Sequence, residues 1–135
     1  MTGKTRILVV DDNRQIQALL TELLGVAGHV TRAAASCEEA RAIIDQESFS
    51  CALIDLGLPD GNGLELLPYI RERQPLLVPV ILTGDGRAET IIETMRAGAF
   101  DFLIKPFVSA SLHAAINRAQ EYHDVLRERD ELVQL

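Results

Sequence analysis

The run Ile7-Leu-Val-Val10, closed by Asp11-Asp12, decides how this chain folds. Four apolar residues without polar alternation are too few for a helix and suit a strand covered on both faces. Two later runs, Cys51-Ala-Leu-Ile54 and Val78-Pro-Val-Ile-Leu82, have the same character, and Phe100-Asp-Phe-Leu-Ile104 is a further short run interrupted by Asp101. His29-Val-Thr-Arg-Ala33 is more polar and suits a sheet edge.

Helical periodicity fills the intervals. Ile16, Leu19, Leu20, Leu23 and Leu24 recur at three and four, with Asn13 placed as N-cap. Ser36 and Glu39 make a capping box ahead of Ala40, Ile43 and Ile44. Leu64, Leu66, Leu67 and Ile70 follow Asn62-Gly63, and Pro68 requires that helix to start late or to kink, since an interior proline costs about 3 kcal/mol. Ile91, Ile92, Met95 and Ala99 form a stripe ending at Gly98, a left-handed C-cap. Leu112, Ala115, Ile116 and Ala119 form the last. Strand and helix thus alternate five times, which predicts an α/β fold with a doubly wound parallel sheet of five strands and five helices. Such sheets bind ligands at the carboxyl ends of their strands.

The 135 residues fit one domain; 47% are hydrophobic and 24% charged, enough for a packed core. A net charge of −7 repels phosphate backbones, so direct binding to nucleic acid is not expected. No segment reaches transmembrane length and the N-terminus lacks a secretory pattern, so no membrane contact and a cytoplasmic location are expected. Cys37 and Cys51 have no metal-ligand spacing and read as reduced thiols. His29, His113 and His123 share no spacing either. Gly3-Lys4-Thr5 ends like a P-loop but lacks the preceding strand and first glycine, and reads as a disordered start. From Gln120 the chain is dense in charge and helix-forming. Residues 1–119 are expected to form the domain, with 120–135 a charged extension of the last helix serving as linker or coiled coil. A heptad runs through Ala119, Tyr122, Leu126 and Val133, with Arg129 in its seam.

The strand ends carry the chemistry: Asp11-Asp12 after the first, Asp55 after the third, Thr83 after the fourth and Lys105-Pro106 after the fifth. In a parallel sheet all project from one rim. Three crowded carboxylates repel one another unless a cation intervenes, and hard oxygens suit Mg²⁺. Lys105 and Thr83 can each meet a phosphoryl oxygen, which leaves Asp55 as the nucleophile of an acyl-phosphate reaction. Taken singly, Asp11 and Asp12 also suit a helix N-terminus, and Phe102 suits core packing.

These residues resemble the receiver domain of bacterial response regulators. The matching pieces are Ile7-Leu-Val-Val-Asp-Asp12, Leu53-Ile-Asp-Leu-Gly-Leu-Pro-Asp-Gly61, Val80-Ile-Leu-Thr-Gly84 and Gly98-Ala-Phe-Asp-Phe-Leu-Ile-Lys-Pro-Phe107. They lie between about Arg6 and about Ala119. The resemblance implies a flavodoxin-like strand order 2-1-3-4-5 and makes Asp55 the phosphoacceptor. It assigns Mg²⁺ to Asp11, Asp12, Asp55 and the Gly57 carbonyl, the switch hydroxyl to Thr83, the paired lysine to Lys105 and the switch aromatic to Phe102. It also implies a cis peptide before Pro106. Gly84 stands where the family more often has Ala or Ser, and Phe102 where it often has Tyr. Gly57 and Asp85 would flank the attacking water and tune the lifetime of the acyl phosphate.

The function implied is a signalling switch rather than an enzyme: a histidine kinase or histidine phosphotransfer protein donates the phosphoryl group to Asp55. The domain would catalyse its own phosphorylation and dephosphorylation. The face of the last strands and helices would then control a partner protein or attached output domain, or pair two copies as a homodimer. The charged tail favours a chain that continues into a further domain. Two other functions stay open at this point: a Mg²⁺-dependent phosphatase, disfavoured by Gly57 and the short connections, and a pseudo-receiver that only binds a partner, disfavoured by the intact acids and Lys105.

Overall fold

A computed structural model describes residues 5–134. The order is β1 (Arg6–Val10), α1 (Arg14–Val26), β2 (Val30–Ala34), α2 (Cys37–Gln46), β3 (Cys51–Asp55), β4 (Gly57–Leu58), β5 (Gly61–Asn62), a 3₁₀ turn (Gly63–Glu65), α3 (Leu66–Arg73), β6 (Val78–Thr83), α4 (Ala88–Arg96), β7 (Asp101–Ile104) and α5 (Ser109–Val133). Five strands form one sheet in the order β2-β1-β3-β6-β7, all neighbours parallel. Counting those strands alone, this is the expected 2-1-3-4-5. β4 and β5 form a separate two-residue antiparallel hairpin that sequence periodicity did not predict.

Alternate side chains along each inner strand divide the core. Ile7, Val9, Cys51, Leu53, Val80 and Leu82 pack with Leu20 and Leu24 of α1 and Leu112, Ala115, Ile116 and Ala119 of α5. Leu8, Val10, Ala52, Ile54 and Ile81 pack on the other face with Ile43 and Ile44 of α2 and Leu66, Leu67 and Ile70 of α3. Covered faces explain why these strands read as unbroken apolar runs.

The helix signals resolve as follows. Asn13 Oδ1 accepts from the Gln15 and Ile16 amides, and Ser36 Oγ from the Glu39 amide. Pro68 is the third residue of α3, because the 3₁₀ turn takes up Gly63–Glu65 and the α-helix starts late. In the first turn its missing N–H breaks no helical bond. Gly98 has φ +105°, the left-handed closure expected after α4.

Of the stripe on α4, Ala99 beyond its end is buried in the core, but Ile92 and Met95 lie outward. Ile92 and Met95 are 51% and 42% exposed, and the buried residue of that helix is Thr94. Thr5 is not part of a disordered start: it is buried and its Oγ1 donates to Gln120 Oε1 at 2.7 Å. Gly3 and Lys4 lie outside the described residues. Beyond Ala119, α5 still touches the body. The Tyr122 ring stacks on Phe100 at 4.9 Å, and His123 Nδ1 lies 2.7 Å from the Leu76 carbonyl oxygen. Ala119 and Leu126 face the body, whereas Val125, Leu132 and Val133 are exposed. Among the described residues no helix is long and apolar enough to cross a membrane.

Candidate functional site

Strand register gathers the site. Val10 pairs with Ile54, Asp55 with Leu82, and Thr83 with Ile104. In parallel strands the next residues must leave at the same rim, which brings Asp11, Asp55, Thr83 and Lys105 together.

Asp11 is fully buried. Its Oδ1 accepts from the Asn13 amide at 2.9 Å and its Oδ2 from Lys105 Nζ at 2.8 Å. Lys105 Nζ also lies 3.3 Å from Asp55 Oδ1. Asp12 is exposed beside them, and one oxygen from each of Asp11, Asp12 and Asp55 falls within 4.8 Å of the others. Burial raises the Asp55 pKa, followed by the Asp11 charge; Lys105 and the Gly57 amide oppose the rise. Burial opposes the charge on Lys105, but its hydrogen bond to Asp11 and the nearby carboxylates hold its pKa above the usual lysine value. Three hard carboxylates face a single ammonium, a donor set that suits a small dication.

Thr83 is buried, and its Oγ1 accepts from the Asp85 amide at 2.9 Å. Gly84 is exposed, with open space where a Cβ would stand. Phe102 is half-buried against the core that also holds Ile81 and Ala99. The Lys105–Pro106 bond is cis. A cleft of about 460 Å³ opens beside Asp55 and Thr83 and runs past Gly57, Asp85 and Thr90 to Thr94. Asp85 is not free within it: its carboxylate accepts from the Arg87 amide and guanidinium and from Thr90 Oγ1, which together hold it well below the usual carboxylate range.

Two groups near the site were not singled out from the sequence. Thr94 Oγ1 is buried without a hydrogen-bond partner. Asp60, at the tip of the β4–β5 hairpin, accepts from the Cys37 and Glu38 amides of α2.

The family model described as the response regulator receiver domain matches residues 7–117. The chain belongs to that family. Receiver domains of response regulators are signalling domains of two-component systems. The chain is 42% identical over 104 residues to the response regulator protein PilR of Pseudomonas aeruginosa, a match that covers 77% of this chain and 23% of the relative. It thus spans about a quarter of the length of the curated relatives that lead the comparison. Among solved structures, it is similar to a CheY-like receiver domain protein from Methanospirillum hungatei, with a TM-score of 0.84, 30% identity and coverage of 90% and 98% of the two chains. It is also similar to the beryllofluoride-activated NtrC4 receiver domain dimer, with a TM-score of 0.83, 32% identity and coverage of 87% and 98%.

Proposed function

We propose that this receiver domain takes a phosphoryl group onto Asp55 from a histidine kinase or histidine phosphotransfer protein. The observation that carries this reading is the single ammonium of Lys105 shared between the carboxylates of Asp11 and Asp55. An Asp55 oxygen attacks the phosphorus of the donor phosphohistidine, the P–N bond breaks, and the acyl phosphate remains on Asp55. Lys105 lets go of Asp55 and follows the new charge onto a phosphoryl oxygen. Asp11, Asp12, Asp55 and the Gly57 carbonyl are the ligands proposed for Mg²⁺, which supplies charge neutralisation and a template for the phosphoryl oxygens. Water attack on phosphorus then returns Asp55 and phosphate, with Gly57 and Asp85 beside its path.

Switching starts at Thr83. Its hydroxyl gives up the Asp85 amide to donate to the phosphoryl group, and Phe102 follows into the space behind it. This biases conformations already accessible to the chain. The output face is built from α4, β7 and α5, where Ile92, Met95, Ile104 and Val108 are exposed. The NtrC4 receiver, whose beryllofluoride-activated form is a dimer, supports pairing of two copies, and these exposed apolar side chains offer the face for it. Residues 1–119 form the switch in this reading, and 120–135 lead as a helix toward an output domain or partner. The acidic chain acts in the cytoplasm without direct contact to nucleic acid or membrane.

Incubation with acetyl phosphate and Mg²⁺ tests the reading. Intact-mass measurement should show one added phosphoryl group in the wild type and none in Asp55→Ala. An unmodified wild type, or equal labelling of both, contradicts it.

A further inference from the structure

We infer that Asp60 is a positioning residue for the phosphoacceptor site: it fastens the hairpin that follows Asp55 to the start of α2 and so aims Gly57. The inference rests on the proposed roles of Asp55 and the metal carboxylates.

The first four amides of a helix lack partners inside it. In α2 the amides of the first three helical residues are each met by a side chain. The Cys37 amide donates to Asp60 Oδ1 at 2.8 Å and the Glu38 amide to Asp60 Oδ2 at 2.9 Å. The Glu39 amide donates to Ser36 Oγ, and the helix's own ladder begins with the Ala40 amide on the Ser36 carbonyl. One of these three acceptors is local, while the other two come from a residue more than twenty positions later. Asp60 therefore does more than end a helix, because it joins two segments. The Cys37 and Glu38 amides also hold its carboxyl below the usual range, so it stays ionised.

What it joins to α2 is the frame of the site. β4 and β5 pair Gly57 with Asn62 and Leu58 with Gly61, leaving Pro59-Asp60 as the turn. Both ends of this hairpin rest on Asp55. The Gly57 amide sits close enough to the Asp55 carboxylate to favour its charged form. At the other end, the Gly63 amide donates to the Leu56 carbonyl at 2.8 Å, and a Cβ on Gly63 would stand 2.1 Å from the Asp55 carbonyl oxygen. Gly57, Gly61 and Gly63 make residues 57–63 intrinsically loose. Leu58 anchors the hairpin in the core without fixing its direction. The Asp60 carboxylate supplies a directional tie through both of its oxygens.

Comparison of two variants of the full chain tests this. Ser36→Ala and Asp60→Ala each remove hydrogen bonds from the start of α2, but only Asp60→Ala releases the hairpin. Mg²⁺ affinity is read by titration calorimetry of unphosphorylated protein, and amide exchange at residues 57–62 is read without metal. Asp60→Ala should bind Mg²⁺ about tenfold more weakly, the scale for groups that orient metal ligands, and its hairpin amides should exchange faster. Ser36→Ala should lower the urea midpoint yet leave both readouts at wild-type values. Asp60→Asn, which keeps one acceptor, should fall between and serves if Asp60→Ala does not fold. Equal Mg²⁺ affinity and equal exchange in the two alanine variants would overturn the inference. A wild type that binds no Mg²⁺ would instead overturn the metal reading, and the exchange comparison tells these failures apart.

Discussion

Lys105 Nζ stands 2.8 Å from Asp11 Oδ2 and 3.3 Å from Asp55 Oδ1, although 94 residues separate Lys105 from Asp11. Asp11 is wholly buried, so this ammonium is what makes its charge tolerable there. Lys105→Met should destabilise metal-free protein by about 2 kcal/mol, because a buried charged acceptor loses its partner. Mg²⁺ should recover part of the loss by supplying a cation to the same oxygens. Urea unfolding with EDTA and with Mg²⁺ checks both. Unchanged stability in EDTA would contradict the assignment.

Thr83 Oγ1 is engaged with the Asp85 amide and must leave it to reach a phosphoryl oxygen. Thr83→Ala should still accept phosphate on Asp55 but fail to move Phe102. Ring resonances of Phe102, followed by NMR as beryllofluoride is added, should shift in the wild type and stay fixed in the variant. An equal shift in both would separate Phe102 from Thr83.

The Thr94 hydroxyl is buried at 1% exposure and has no hydrogen-bond partner. Thr94→Val keeps the shape and removes the unsatisfied group. It should stabilise the domain by about 1 kcal/mol in urea unfolding. A loss of stability would show that the hydroxyl has a partner, with water in the cleft the first to test.

His29 has its pKa lowered from 6.5 by burial and then by His113. The unfolded chain therefore binds more protons than the folded one between the lowered value and 6.5. Stability should be fully present above 6.5 and fall as the pH drops through the folded value. His29→Gln should flatten this part of the profile of urea midpoint against pH. An unchanged profile would place the pH sensitivity elsewhere.

The fold was legible because both faces of the inner strands are covered, so Ile7–Val10 and Cys51–Ile54 carry no competing polar pattern. The helix α4 was legible but its orientation was not, because apolar spacing marks a face without saying what covers it. Ile92 and Met95 lie outward, while Thr94 is buried. The strand ends gave the acids, Thr83 and Lys105 directly, since register alone brings them to one rim. Asp60 was not legible: its partners are backbone amides of another element, and no side-chain pattern records them. Asp85 was placed beside the site, but Arg87 and Thr90 take its carboxylate. The offset of two residues from Asp85 to Arg87 is that of an Asx turn and was the available signal.

Reduction with borohydride tests the central assignment most directly. It converts an acyl phosphate to an alcohol, so a phosphorylated aspartate becomes homoserine, which tandem mass spectrometry locates. After treatment with acetyl phosphate and Mg²⁺, homoserine should appear at position 55 alone. Homoserine at position 11 or 12, or at none, would contradict the account.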